Sequence, residues 1–467
     1  MGLAVFRQPV RRREVSQLRK ITLAVLIASA VTSSIMTATP ATAAASGGSW
    51  LTYGGNSARS SVQANSPSLR SIRTRWTSSA LDGAVYGEPL IEGARVYVAT
   101  ENDTVYALNS SSGAVVWSRH LGTPVPAAAL PCGDISPTVG VTSTMIIDPT
   151  TGRLFVSGST EVHGAVKHLF FALSSASGKI LFQRDLDQPG WTAPAELQRT
   201  GLGLDNGKVL VGFGGNYGDC GNYNGYLMGV PTSGIGATLV FKVATVREGA
   251  IWAPSGVAVN SLGHIFLATG NGSSHSVRDA GDSVIELNSQ LREISYFTPT
   301  EWLQDNDSDL DLGSSSPILV SRNRVFVDGK EQTGYLLGAA NLGGFGRDVS
   351  STAVCFSEGG DAYRASVIYV ACPQASLTAV RLHGNSISVL WHAPSGINGS
   401  PTLAGGLVWA IGSGSLVGMR LGTGAEVARA PVIPTEHFAA PSAGDGLLVV
   451  GGASNVEAFE GPSGYRG

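Results

Sequence analysis

The chain has 467 residues, 43% of them hydrophobic, which is ample for a large core; such a length ordinarily means two or three domains unless the chain is built of repeats. With 61 glycines and only 14% charged residues, the composition favours many short strands joined by tight turns. The formal charge of −3 becomes −8 when the six basic residues and one acidic residue of positions 1–43 are set aside, and a mildly acidic protein is a poor match for nucleic acid or an anionic membrane.

Positions 1–43 have the layout of a signal peptide. Arg7, Arg11, Arg12, Arg13, Arg19 and Lys20 form a basic region, residues 21–30 an apolar core, and Ala41-Thr42-Ala43 a small-residue cleavage site. The apolar run is too short to span a membrane and no cysteine follows it for a lipid anchor. The expected location is therefore extracellular, with no stable membrane anchor. A linker at 44–49, a single repeat domain at 50–461 and a tail at 462–467 complete the division.

Residues 96–100, 105–109 and 115–117, with a Ser/Gly turn closed by Gly113, read as three strands of one antiparallel sheet. So small a sheet buries its faces only against copies of itself. The chain supplies them. Glu88-Pro89-Leu90 opens the first unit, and the second runs from Ser136-Pro137-Thr138 to 178–182. The third covers 200–241, the fourth 254–297, and the fifth starts at Ser316-Pro317-Ile318 and ends in a degenerate strand. The sixth runs from Thr352-Ala353-Val354 to Trp391, the seventh from Ser400-Pro401-Thr402 to Val427, and the eighth from Ala440-Pro441-Ser442 to Phe459. The eighth unit is one strand short, and residues 72–76 form a strand with no hairpin of its own. Joining the two closes a ring of eight four-stranded blades, about 45 residues apiece, and removes the exposed edges. One wrongly divided unit would make it seven. No segment reads as a long amphipathic helix.

Cys132, Cys220, Cys355 and Cys372 allow three disulfide pairings. Cys132–Cys220 with Cys355–Cys372 is preferred, because the last two bracket one hairpin; four buried thiols are the alternative. Asp305-Asn306-Asp307-Ser308-Asp309-Leu310-Asp311 has alternating carboxylates, but Leu310 and Ser316 stand where a calcium-binding EF-hand needs Gly and Glu. It reads as a solvated acidic loop. The histidines show no metal spacing, and no nucleophile elbow is present.

The run Val105-Tyr106-Ala107-Leu108-Asn109 with Gly113 and Trp117, echoed at 169–182, 377–391 and 416–427, resembles the tryptophan-docking repeat of pyrroloquinoline quinone (PQQ) propellers. The resemblance implies an all-β, eight-bladed propeller in which a tryptophan of one blade packs against the next. That fold is shared by quinoprotein alcohol dehydrogenases and by non-catalytic scaffolds similar to the outer-membrane assembly lipoprotein, so the fold does not fix the function. In the dehydrogenases a tryptophan stacks under the quinone, a Glu and an Asn hold calcium, an Asp acts as base, a Lys or Arg contacts the quinone oxygens, and a vicinal disulfide covers the other ring face.

Several positions match that pattern. Trp252 in Gly249-Ala250-Ile251-Trp252 lies where the stacking tryptophan is carried, Asn271 where the calcium-binding Asn is, Lys330 where the cation is, and Asp309 or Asp311 near the base. Two positions depart. Asn216 stands at the calcium-binding Glu, and an amide there removes a charge from a hard-cation site. Cys132 has no adjacent cysteine, and no haem-attachment motif occurs.

Each match has a plainer reading. Trp252 is a stacking platform or a blade-packing tryptophan, Asn271 a ligand or a turn residue, Lys330 a channel cation or a surface lysine. If a ligand sits at one channel mouth, Glu88, Asp134, Trp252, Asp311 and Lys330 are the residues expected around it. The leading expectation is a secreted, monomeric, non-catalytic propeller binding a small molecule, protein or glycan, with a degenerate quinone site. The alternative is a PQQ- and calcium-dependent dehydrogenase of alcohols or sugars. Convergence of Trp252, Asn271, Lys330 and Asp309 or Asp311 at one mouth favours the second; a channel filled by side chains favours the first.

Overall fold

A computed structural model describes residues 48–461; the expected signal peptide, most of the linker and the tail lie outside them. Eight antiparallel sheets follow one another along the chain, so the count is eight and not seven. Blade one comprises Leu90–Glu92, Arg95–Ala99, Thr104–Asn109 and Val115–His120. Blade seven, Thr402–Ala404 to Glu426–Pro431, has the same plan. The eighth sheet is completed by Arg73–Thr77, which pairs antiparallel with Val456–Glu460 and closes the ring as expected. Both preferred disulfides are present, and no described cysteine is free. Among the described residues, no helix is long and apolar enough to cross a membrane.

Two blade boundaries differ from the sequence reading. The inner strand of blade two is Ile146–Asp148; Thr138–Val139 instead pairs with Thr123–Pro126 in a hairpin added to the sheet edge. The inner strand of blade six is Ala362–Arg364, whereas Ser350–Ala353 is the missing outer strand of blade five. A third difference concerns the acidic run. Trp302–Asp307 is an α-helix, and Asp305, Asn306 and Asp311 are buried rather than solvated. The cause is a tertiary contact: Asn306 Oδ1 accepts the Gly272 N–H at 2.6 Å, which pins the segment to the loop of blade four.

The core lies between neighbouring blades. Val105 and Ala107 of blade one pack with Leu154, Val156 and Phe171 of blade two, and Val209 and Val211 of blade three pack with Phe155 and Phe170. The outer rim is held by aromatic docking. Trp76, Trp117 and Trp391 each lie on a turn glycine of the next blade, where a Cβ on Gly113, Gly178 or Gly424 would sit 2.5 Å from the ring; Phe182 covers Gly234 likewise. The three indole N–H groups donate to Ser110, Ser175 and Leu421 carbonyls at 2.8, 3.1 and 3.0 Å. These glycines also carry positive φ, from +67° to +78°, a region costly for other residues. Burying one such aromatic contributes about 2–3 kcal/mol.

The channel is lined by the N-terminal segment. Gly48 C=O accepts from Asp445 N–H of blade eight, and Trp50 exchanges two 2.8 Å bonds with Ile91 of blade one. Leu51 C=O accepts from Ile147 of blade two, and the Thr52 hydroxyl donates to Leu202, just before the inner strand of blade three. Ser57, Ala58 and Ser60 carbonyls accept from Val259, Leu319 and Tyr363 of blades four, five and six, and Val62–Gln63 pairs parallel with Leu403 and Ala404 of blade seven. The strap thus visits every blade in order. Arg59, only 1% exposed, locks it by donating to Thr52, Tyr53, Leu202 and Val257 oxygens.

Gly178 and Gly414 share a φ of +67°, but nothing lies within 4 Å of a Cβ at Gly414. Gly414→Ala is expected to lose about 1 kcal/mol from backbone strain alone, and Gly178→Ala at least about 3 kcal/mol because Trp117 is also displaced. Denaturant titration of the two variants measures this. Equal losses would contradict the docking role.

Candidate functional site

Residues 249–252 cross from blade three to blade four. Ile251 N–H donates to Phe213 C=O at 3.0 Å and Gly270 N–H to Ala250 C=O at 2.9 Å, so the segment that carries Trp252 is clamped between two blades. Gly214 is needed beneath it, since a Cβ there would lie 2.8 Å from Ala250. A Cβ on Gly270 would lie 2.3 Å from Asp311 Oδ1 and 3.3 Å from Trp252 Nε1, so this glycine lets the tryptophan and the aspartate approach.

Trp252, Asn271, Asp309, Asp311 and Lys330 converge. Asp311 Oδ1 accepts the Asn271 backbone N–H at 2.8 Å, and its Oδ2 accepts from Lys330 Nζ at 2.6 Å. Asp309 Oδ1 accepts from Asn271 Nδ2 at 3.0 Å and lies 3.4 Å from Lys330 Nζ. Lys330 Nζ is 5.5 Å from the Trp252 ring centroid. The Lys330 side chain is 12% exposed, which rules out the surface-lysine reading. Burial opposes its charge, but Asp311 and Asp309 outweigh that and hold the ammonium above the usual lysine range. Burial likewise pushes the Asp311 carboxyl up, against the pull of Lys330. Behind them lies Asp282, which sequence reasoning missed because nothing marks Gly281-Asp282-Ser283 as more than a strand entry. It accepts the Leu312 N–H at 3.2 Å, and burial together with Asp311 raises it far above the carboxylate range.

Two other expected residues, Glu88 and Asn216, stand apart. Glu88 is committed to the strap, accepting the Gly54 N–H at 2.9 Å, and burial pushes it up to about 8. Asn216 is buried with Nδ2 donating to Pro194 C=O at 2.9 Å. Asp134 meets the mouth through His437 at 3.8 Å. Phe438, next in the loop between blades seven and eight, lies 6.2 Å from Trp252 with the rings inclined at 58°. Arg199 sits 5.4 Å from the Phe438 ring and donates to His437 C=O. Sequence gave no signal for Phe438, a lone aromatic in an irregular loop.

Asn271 Oδ1 is buried without a hydrogen-bond partner, which suits a cation ligand, and the Trp252 face beside Lys330 suits a flat ring with oxygen at its edge. The calcium set does not fit as a whole. Asn216 brings no charge and is tied to Pro194, and among the described residues no three His, Cys, Asp or Glu side chains are grouped to hold a metal. The Cys132–Cys220 bridge joins two loops instead of adjacent residues.

A family model described as outer membrane protein assembly factor BamB matches residues 70–157. No curated protein matches the chain in sequence. Among solved structures, the quinohemoprotein alcohol dehydrogenase ADHIIG from Pseudomonas putida HK5 is similar with a TM-score of 0.69 at 14% identity, covering 90% of this chain and 82% of that one. The quinohemoprotein alcohol dehydrogenase from Comamonas testosteroni gives 0.67 at 15%, covering 91% and 82%. A europium-containing methanol dehydrogenase gives 0.65 at 14%, covering 88% and 98%. At these identities the likeness establishes the fold, a PQQ-like propeller.

Lys330→Met and Asp311→Asn each strand one member of a buried ion pair and are expected to lower stability by about 3 kcal/mol. The double variant is expected to lose less than the sum. Chemical denaturation of the four proteins measures this, and additive losses would contradict a coupled pair.

Proposed function

We propose that this is an exported, monomeric binding propeller whose Trp252 mouth takes a flat ring with oxygen-bearing edges, of the pyrroloquinoline quinone class. The convergence of Trp252, Asn271, Asp309, Asp311 and Lys330 from separate loops carries the reading. Trp252 would stack on the ring, and Lys330, held charged by two aspartates, would meet its oxygens. Asn216, lacking a carboxylate, makes binding the leading role and turnover the lesser one. Two disulfides support export to an oxidising compartment.

A second reading, a dehydrogenase of alcohols or sugars, draws on the same convergence and on one further observation. The Asp309 side chain is 66% exposed beside Lys330, whereas both Asp311 oxygens are occupied by internal donors. In that reading Asp309 takes the proton of the substrate hydroxyl and Asp311 orients Lys330. A bound quinone would supply the electron acceptor, and Asn271 Oδ1 would serve any accompanying calcium.

Titration with PQQ, read by tryptophan fluorescence with and without calcium, tests the proposal. Saturable quenching is expected, lost in Trp252→Ala, weakened about tenfold in Lys330→Met and little changed by calcium. No quenching up to about 1 mM would contradict binding. Calcium-dependent, dye-linked alcohol oxidation abolished by Asp309→Asn would establish the second reading.

A further inference from the structure

The segment that presents Asp309 and Asp311 to Lys330 has a second side. Leu310 between them, Asp305 on the preceding helix and Glu331 beside Lys330 line a separate cavity of about 430 Å³ against blade five. Its size falls within the range of small-molecule sites, roughly 300–1,000 Å³. Phe297 and Tyr335 also line it, their ring centroids 5.1 Å apart. Glu301 and Asp348 add two more carboxylates, and no Lys, Arg or His is among the lining residues.

The carboxyls at the base lack partners. Asp305 is 6% exposed, and its carboxyl accepts no hydrogen bond from any described residue. Both Glu331 carboxyl oxygens are buried and likewise unpartnered. Leaving such groups without donors is costly, so the base of the cavity is matched to a ligand that donates N–H groups and carries positive charge. A bare divalent ion is the poorer match. It needs several converging oxygens, and among the described residues, the four lining carboxyls included, no three His, Cys, Asp or Glu side chains are grouped closely enough to hold one. An alkyl stem matches the Phe297, Pro299, Leu310 and Tyr335 walls, which a hydrated ion does not. Burial, with Glu301 nearby, raises Asp305 to about 6, and burial pushes Glu331 well above the usual carboxylate range, so each carboxyl favours its proton until a cationic donor is supplied.

We propose that this cavity binds a primary alkylammonium group, with N–H donors on Asp305 and Glu331 and the hydrocarbon stem against Phe297 and Tyr335. The group can come from a free amine or from a lysine side chain of a polypeptide. The site is independent of the reading given to the Trp252 mouth.

Calorimetric titration of the mature chain with 1,4-diaminobutane, n-butylamine, N-acetyl-lysine amide and calcium chloride tests this. Amine binding is expected, weakened at least about tenfold in Asp305→Asn and in Glu331→Gln and unchanged in Trp252→Ala. Glu301→Gln, at the exposed rim, is expected to weaken it about two- to fivefold without risk to the fold. Tighter binding of the free diamine points to a small-molecule source, and comparable binding of the lysine amide to a polypeptide; either supports the site. Absence of heat with every amine at about 10 mM, calcium binding in place of amines, or amine affinity indifferent to Glu331→Gln and Glu301→Gln would overturn it.

Discussion

An aromatic ring lying on the turn glycine of the next blade sets the spacing of this molecule. Gly113, Gly178, Gly234 and Gly424 each give up the Cβ position to a neighbour's ring, so the blade-to-blade distance at the rim is fixed by direct contact. At the three tryptophans the indole N–H closes the contact to a turn carbonyl, which holds the ring in place. Between blades four and six the pattern lapses: Leu291 occupies the turn of blade four at φ +56°, and Gly384 in blade six meets nothing. The same blades carry the irregular loops that hold Asn271, Asp309, Asp311 and Lys330. Regular docking builds the frame, and the loops freed from it build the site.

The strap at residues 48–63 is the inner counterpart of the rim. Its hydrogen bonds, backbone in every blade but the third, where the Thr52 hydroxyl serves, reach the inner strand or the residue next to it, and Arg59 gathers acceptors from three separate segments. The channel is thereby occupied by the chain itself. The mouth around Trp252 and Phe438 carries exposed polar groups, Asp309 and His437 among them. Arg199, packed on Phe438 and Tyr86, ties the loop of blade seven to blade three across that mouth.

Much of this was legible in the sequence because the signals were local. The glycine-closed turn before Trp117 announced the repeat, the unpaired strand before Trp76 announced the ring closure, and the bracketed hairpin announced Cys355–Cys372. The two boundary errors share a cause. Ser136-Pro137-Thr138 carries the Pro-opened pattern of an inner strand but serves an inserted hairpin, and the loop after Gly338 delays the outer strand of blade five to Ser350. The strap was hidden because it pairs through scattered single bonds with no alternation to read. Asn306 and Asp311 looked solvated because polarity is read before tertiary partners are known. Glu88, placed at the mouth by its position before Pro89, is drawn to the strap instead.

The claim on which the rest turns is that a flat ring lies on Trp252 beside Lys330. The most direct measurement is a crystal structure of the mature protein soaked with PQQ and calcium. The expected result is planar density parallel to the Trp252 indole, with one edge within about 3 Å of Lys330 Nζ and Phe438 moved aside. Phe438 unmoved, with no density over Trp252 at saturating quinone, would contradict it.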